Sequence, residues 1–327
     1  MEVFDFKKIW SPEIFQGKKR KRNYFEGWYY KLIDQKRQNV FAVIPGISIG
    51  ENRFDAHAFV QVIDAVKGTS SYHRFDYASF FADPKRLFVR IGDNEFTDYG
   101  IKLDLGDNTL KAALEFSNIV KYPKTFFNPG IMGPFTFVPG MECYHGVVNV
   151  SHTIMGTLTA EEVSIDLNGG EGYIEKDWGR SFPDSWIWLQ ANHFEDAGVS
   201  FMFSVARIPW LGRSFTGLIA FLMTENGFYK FATYNRSKIR HLVLKDNTLD
   251  VRLDNTKYTL DFTAKYTKGG ILKAPKNGLM QREIEESITA KVELKLTSKN
   301  STIFSGFSDC AGMEIAGNIK DFLPDHK

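Results

Sequence analysis

The chain has 327 residues, 43% of them hydrophobic and 15% aromatic, with a formal net charge of +2. That length allows one large or two medium domains, and the near-neutral charge argues against a nucleic-acid binder or a general membrane-surface protein. Two cysteines, Cys143 and Cys310, are too few for a disulfide framework; the first ten residues lack the apolar core of a signal peptide, and no run approaches the ~18 apolar residues of a membrane span, so a cytoplasmic protein is expected.

Residues 1–23 read as an N-terminal arm. Lys18, Lys19, Arg20, Lys21 and Arg22 form its dense basic run. Such a run is a solvated lead-in or a contact for an anionic membrane surface, which makes peripheral membrane binding a partner expectation. Tyr24 to Asp34 then alternates, with Trp28, Tyr30 and Leu32 on one face. A polar turn at Gln35–Asn39 leads to a second strand at Val40–Ile44, which Pro45-Gly46 should end. Ala58 to Asp64 reads as a third strand, with His57, Phe59, Gln61 and Ile63 on one side.

From residue 86 hairpin signals recur. Leu87–Ile91 precedes Gly92-Asp93-Asn94, and Tyr99–Leu105 precedes Gly106-Asp107-Asn108, with Leu110–Phe116 next. Residues 117–140 break the period with four prolines and three glycines, the composition of a long functional loop. Its apolar residues Phe126, Phe127, Ile131, Met132, Phe135 and Phe137 suit a lid over an oily ligand. Val147–Leu158 follows. Later turns at Asp246-Asn247 and Asp254-Asn255 separate further alternating runs, including Lys257–Phe262 and Ala290–Leu296. No amphipathic helix exceeds about three turns, so the chain reads as all-β, a barrel or sandwich.

Residues 171–194 carry the densest chemistry: Glu175, Asp177, Trp178, Arg180, Trp186, Trp188, Gln190, Asn192 and His193. Trp186, Trp188, Gln190 and Asn192 share one strand face, and Ile187, Leu189 and Ala191 the other. A face that is both aromatic and polar suggests a pocket wall. Trp28-x-Tyr30 is echoed by Trp186-x-Trp188, and Gly172-Tyr-Ile-Glu175 by Gly312-Met-Glu314. The echo suggests two similar β domains, 24–178 and 179–327.

Tyr24-Phe-Glu-Gly-Trp-Tyr-Tyr-Lys31, His57-Ala-Phe-Val-Gln61, Gly133-Pro-Phe-Thr-Phe137 with Met141-Glu-Cys-Tyr-His-Gly146, and Gly172-Tyr-Ile-Glu-Lys-Asp-Trp-Gly-Arg-Ser-Phe-Pro183 running on to Gln190-Ala-Asn192 resemble the tocopherol cyclase family. The resemblance covers about residues 22–317. It implies two lipocalin-like β domains holding an apolar ligand, and ring closure of a prenylated hydroquinone to a chromanol. Related proteins of this two-domain type include carotenoid hydratases and cyclases of polyketide-derived polyenes. The plant cyclases' long transit extension is lacking, so a plastid location is not implied.

Such a closure needs no cofactor. An acid protonates the alkene, aromatic faces stabilise the cation, and the phenol oxygen attacks while water is excluded. Asp177 and Glu175, two apart on a strand, are the first candidates for the acid; the competing expectation pairs them with Arg180 or Lys176. Glu26, on the face of Trp28, is a third candidate acid or phenol acceptor, or else a bond to the backbone that closes a barrel. Trp28, Tyr30, Trp178, Trp186 and Trp188 offer ring faces, and His57, Gln61, Glu142, His145, Arg180, Gln190 and Asn192 polar contacts for a substrate. Glu314 and Glu283 read as structural. No metal site is expected, since no His pair has ligand spacing with a third partner nearby. The same face could instead serve a carrier without chemistry. A carbohydrate-binding sandwich would also use such rings, but the oily loop argues against it.

Overall fold

A computed structural model describes residues 8–106, 110–210, 212–299 and 301–322. Residues 1–7 of the arm and the Asp107-Asn108 turn lie outside the described residues. Among the described residues there is no α-helix, and hence no helix long and apolar enough to cross a membrane.

Two compact units emerge, Met1–Phe182 with Ile271–Glu283, and Pro183–Gly270 with Ile284–Lys327. Relative to the sequence boundary at 178/179, the second unit begins a few residues later and the 271–283 segment joins the first.

The first unit contains β1 (Tyr24–Ile33), β2 (Val40–Ile49), β3 (His57–Asp64), β4 (Thr69–Asp76), β5 (Phe80–Ala82), β6 (Phe88–Ile91), β7 (Asn94–Thr97), β8 (Gly100–Asp104), β9 (Leu110–Lys121), β10 (Cys143–Ala160), β11 (Val163–Asp166) and β12 (Gly170–Gly179). Their antiparallel order is β4-β3-β2-β1-β12-β10-β9-β8-β7-β6-β5, with β11 on β10. Tyr30 of β1 lies 5.9 Å from the Phe96 ring of β7 and 6.5 Å from Phe116 of β9, two strands it does not pair with. The sheet therefore curls into a barrel-like wall around these rings. Each such buried aromatic contributes roughly 1.5–3 kcal/mol.

Pro45 does not end β2. The strand runs on to Ile49 and keeps pairing with β3 through Pro45↔Val60. The ladder to β1 lapses between Val43 and Gly46, where proline has no N–H to give.

The second sheet is built from β13 (Trp186–Ala191), β14 (Ser200–Trp210), β15 (Arg213–Thr224), β16 (Gly227–Ala232), β17 (Lys238–Lys245), β18 (Thr248–Asp254), β19 (Thr259–Lys265), β20 (Gly270–Lys276), β21 (Leu279–Ser298) and β22 (Ser301–Ala316). Its order, β16-β15-β14-β13-β22-β21-β19-β18-β17, repeats that of the first sheet. In each, the opening aromatic strand pairs with the closing strand, β1 with β12 and β13 with β22. Ile187, Leu189 and Ala191 enter its core with Phe201, Phe203, Leu222 and Phe262. Asp246 and Asn247 take left-handed backbone in the β17–β18 turn, as the sequence anticipates.

β20 and the start of β21 form a hairpin that belongs to the first unit. Gln61 holds it twice, donating to Lys273 O (3.0 Å) and accepting from Lys273 N (2.8 Å). Ser48 Oγ donates to Gly278 O (2.7 Å), and Arg180 Nε donates to Asn277 Oδ1 (2.8 Å).

Candidate active site

The pleat of β12 sends Tyr173, Glu175 and Asp177 to one face and Ile174, Lys176 and Trp178 to the other. Its neighbours add to both faces by register. On β10, His145 stands opposite Asp177 and Tyr144 opposite Trp178. On β1, Tyr29 stands opposite Glu175, Trp28 opposite Lys176 and Glu26 opposite Trp178.

The first face is a chain of acids and donors. His145 Nδ1 is 2.9 Å from Asp177 Oδ1, and its Nε2 is 3.5 Å from Glu175 Oε2. Tyr173 OH donates to Glu175 Oε2 at 2.8 Å. The Cys143 thiol reaches Asp177 Oδ1 at 3.8 Å, and the backbone N–H of His145 donates to Met132 Sδ at 3.1 Å. Side-chain exposure rises along the chain, from 5% for Glu175 to 14% for His145 and 25% for Asp177. Burial pushes the Tyr173 hydroxyl well up, with Glu175 adding to it, so it stays a donor. Burial, then Asp177 and Glu142, push the Cys143 thiol up, which rules against a thiolate nucleophile. The imidazole thus stands between a buried carboxylate and a more exposed one, hydrogen-bonded to Asp177 through Nδ1 and 3.5 Å from Glu175 through Nε2.

The ligand atoms of His145, Glu175 and Asp177 lie within 4.8 Å of one another, so these three residues could also hold a metal ion. The sequence expectation of no metal site rested on a missing second histidine. A strand pair supplies instead one histidine and two carboxylates from residues some 30 positions apart, a juxtaposition that spacing along the chain cannot reveal.

The opposite face is closed. Glu26 and Lys176 are fully buried and paired at 2.6 Å. The backbone N–H groups of Gln16 and Gly17 and the Tyr24 hydroxyl also donate to Glu26. Lys176 donates to the carbonyls of Pro12 and Ile14 and lies 4.8 Å from the ring centroids of both Trp28 and Trp178. Trp28 Nε1 donates to Glu13 O. The arm therefore seals the barrel here. Burial lowers the Lys176 pKa, and Glu26 opposes that.

The structure brings Glu175, Asp177 and His145 together and leaves Glu26 on the other side of the sheet. Neither expected partner holds the two acids: Lys176 pairs with Glu26, and Arg180 binds Asn277. The faces of Trp28 and Trp178 are taken by the Lys176 ammonium, and Trp178 stacks on Tyr144. Tyr30 donates to Thr97 O inside the barrel. Glu142 contributes its backbone carbonyl, which accepts from Arg180 and Ser181. His57 lies between Asp55 O (3.0 Å) and Tyr72 OH (2.5 Å), and burial lowers its pKa. Gln61 is bound to the hairpin, so both side chains have protein partners.

In the second unit, Trp186, Trp188, Gln190 and Asn192 are buried and on the side of β13 away from that unit's core residues. Trp186 Nε1 donates to Glu314 Oε2 (2.7 Å), and Gln190 Nε2 to Asn192 Oδ1 (3.3 Å). Glu314 stands opposite Glu286 in the β21–β22 ladder. The sequence offered only the Gly312-Met-Glu314 echo as a sign of this acid, and no sign of Glu286.

A family model described as tocopherol cyclase-like matches residues 145–317, just over half of the chain. No curated protein matches by sequence. Among solved structures, an AttH protein of Nitrosomonas europaea is 14% identical, with a TM-score of 0.56 over 90% of this chain and 92% of that one. CghA with Sch210972 is 9% identical, with a TM-score of 0.59 over 90% and 89%, and CghA alone gives 0.58 at 9% over 90% and 88%. These likenesses extend across both units and show the lipocalin-like, all-β fold. With the family match reaching from His145 through the closing strand β22, the chain belongs to the tocopherol cyclase-like family.

Proposed function

We propose that the protein is a cofactor-independent cyclase that isomerises a prenylated hydroquinone or a related polyene. The observation that carries this reading is the relay Glu175–His145–Asp177, which ends at its most exposed acid. Both contacts to Asp177 fall on Oδ1, from the imidazole and the thiol. Oδ2 takes no hydrogen bond among the described residues and is the position for the transferable proton.

In the forward step the Asp177 carboxyl gives its proton to the alkene. A C–H bond forms, the π bond breaks and a tertiary cation results. The phenol oxygen attacks this cation, and the phenol proton returns to the Asp177 carboxylate, directly or through His145. Glu175, which accepts from the Tyr173 hydroxyl, lies 3.5 Å from the imidazole's Nε2 on the far side. No atom is gained or lost, so the cycle closes without a co-reactant. Tyr29 and Tyr173 share this face and offer aromatic surface to the cation.

The test is incubation with prenylated hydroquinones in heavy water, followed by chromatography and mass spectrometry. A cyclised product carrying one non-exchangeable deuterium on carbon is expected. Binding without product across the panel would overturn the cyclase reading in favour of a carrier of apolar molecules.

A further inference from the structure

Alkene-bearing apolar substrates are held in lipid, and the first unit carries a surface suited to meeting it. We infer that the end of the first unit at which β1 begins docks on an anionic lipid bilayer.

The topology defines that end. β1 and β10 start there, and β2 and β12 finish there, because Tyr24 pairs with Ile49 and Cys143 with Gly179. Three phenylalanines on its loops are exposed: Phe126 (70%) and Phe127 (73%) before β10, and Phe54 (98%) between β2 and β3. Isolated exposed apolar residues are ordinary. These three sit in two loops on one rim, and the Phe126 and Phe127 rings meet edge to face at 5.2 Å. They are not loose ends of the chain either. Trp10 stacks on Phe126 at 5.5 Å and meets Phe137 at 5.5 Å, and Lys124 ties the loop to Trp10 O and Glu13. A braced aromatic tip can enter a bilayer interface without first being ordered.

Charge selects the partner. The arm passes from Trp10 across the barrel mouth to Gly17 and then presents Lys18, Lys19, Arg20, Lys21 and Arg22 before β1. Lys18, Lys19, Lys21 and Arg22 are exposed. Asn23 N donates to Gly50 O, which joins the end of this run to the loop holding Phe54. That loop's sequence adds the acids Glu51 and Asp55 and the base Arg53, so six basic residues stand against two acidic ones. Basic residues beside exposed aromatics match anionic headgroups over an acyl region. An apolar protein partner would have no need of the basic run.

Flotation of the full chain with two vesicle types tests this: phosphatidylcholine alone, and phosphatidylcholine with about a third phosphatidylserine. Binding to the anionic vesicles is expected, weakened in about 0.5 M salt. Lys18→Gln/Lys19→Gln/Lys21→Gln should lower partitioning by about a hundredfold. Phe126→Ser/Phe127→Ser should lower it by about tenfold or more. Thermal unfolding checks that each variant folds, and Phe127→Ser alone, which leaves the Trp10–Phe126 stack in place, stands in should the double variant fail. Indifference of the wild-type protein to both vesicles overturns the proposal. So does wild-type binding by both variants, or an aromatic variant that loses self-association while keeping its lipid binding.

Discussion

Glu175, Lys176 and Asp177 are consecutive residues of β12, yet they live in two different chemical settings. Lys176 turns inward to Glu26, and that pair is surrounded by the arm's carbonyls and N–H groups, a tyrosine hydroxyl and two indole faces. Glu175 and Asp177 turn the other way and share one imidazole, with an oxygen of Asp177 left over. A buried charge whose partners are all supplied has nothing left to give a ligand; its removal is a matter of stability. A carboxyl at the exposed end of a relay can exchange a proton; its removal is a matter of rate. The comparison assigns roles by saturation rather than by burial alone.

Lys176→Met tests the closed side hardest. It leaves Glu26 buried without its counter-ion, and a loss of about 3–5 kcal/mol in unfolding free energy is expected in denaturant titrations. Glu26→Gln/Lys176→Met should recover a good part of that loss, since both charges go together. Equal losses in the single and double variants would mean that the pair matters through packing instead. On the other side, Asp177→Asn should slow turnover by about a thousandfold while moving the unfolding midpoint little. His145→Gln should show the same split in the same direction. A large stability loss with either would merge the two faces into one structural role.

A third test probes the barrel interior beneath the relay strand. His152 stacks on Phe116 at 4.1 Å, and burial pushes its pKa down to about 3, so it packs as a neutral ring. Its Nε2 occupies the space above Gly172, where an added Cβ would stand 2.1 Å away. Gly172→Ala should therefore destabilise by about 1–3 kcal/mol, read from the denaturation midpoint. The glycine echoed at residue 312 is required here by a close approach rather than by its φ.

The strand pattern was legible because alternation and Asp/Asn/Gly turns are local signals. The repeated strand order had its trace in Trp28-x-Tyr30 and Trp186-x-Trp188, which lie in β1 and β13. The shared face of Glu175 and Asp177 followed from a spacing of two. What stayed hidden was pairing. His145 comes to Asp177 through the β10–β12 register, and Glu26 comes to Lys176 through β1, contacts set by sheet order and by a bulge after Val147. Glu26 and Trp28 read as site residues because a sealed ion pair and a catalytic acid have the same composition, and the pair with Lys176 is not visible in the sequence. Only the arm, folded over them, tells the two apart. Likewise Gln61 offered a polar group in an apolar strand, and its partner was a hairpin 212 residues away in sequence.

The smallest effect belongs to Glu171, the next acid along the outer face of β12. Burial pushes its carboxyl up to about 7, with the Arg37 charge working against that. The folded state thus holds a proton that the unfolded chain, near its ordinary value of 4.5, releases earlier. Stability from this group is complete below about pH 4.5 and is lost as pH rises through about 7. The group is partly exposed, so solvent screening reduces the difference to about 1–2 kcal/mol. Glu171→Gln should leave unfolding at pH 4.5 unchanged and raise stability at pH 8 by about 1 kcal/mol, measured by denaturant titration at the two values. A gain of the same size at both would trace the effect to packing. A loss at pH 8 would mean that the ionised carboxylate is held by the fold, and that acids on this face are saturated like Glu26 rather than poised like Asp177.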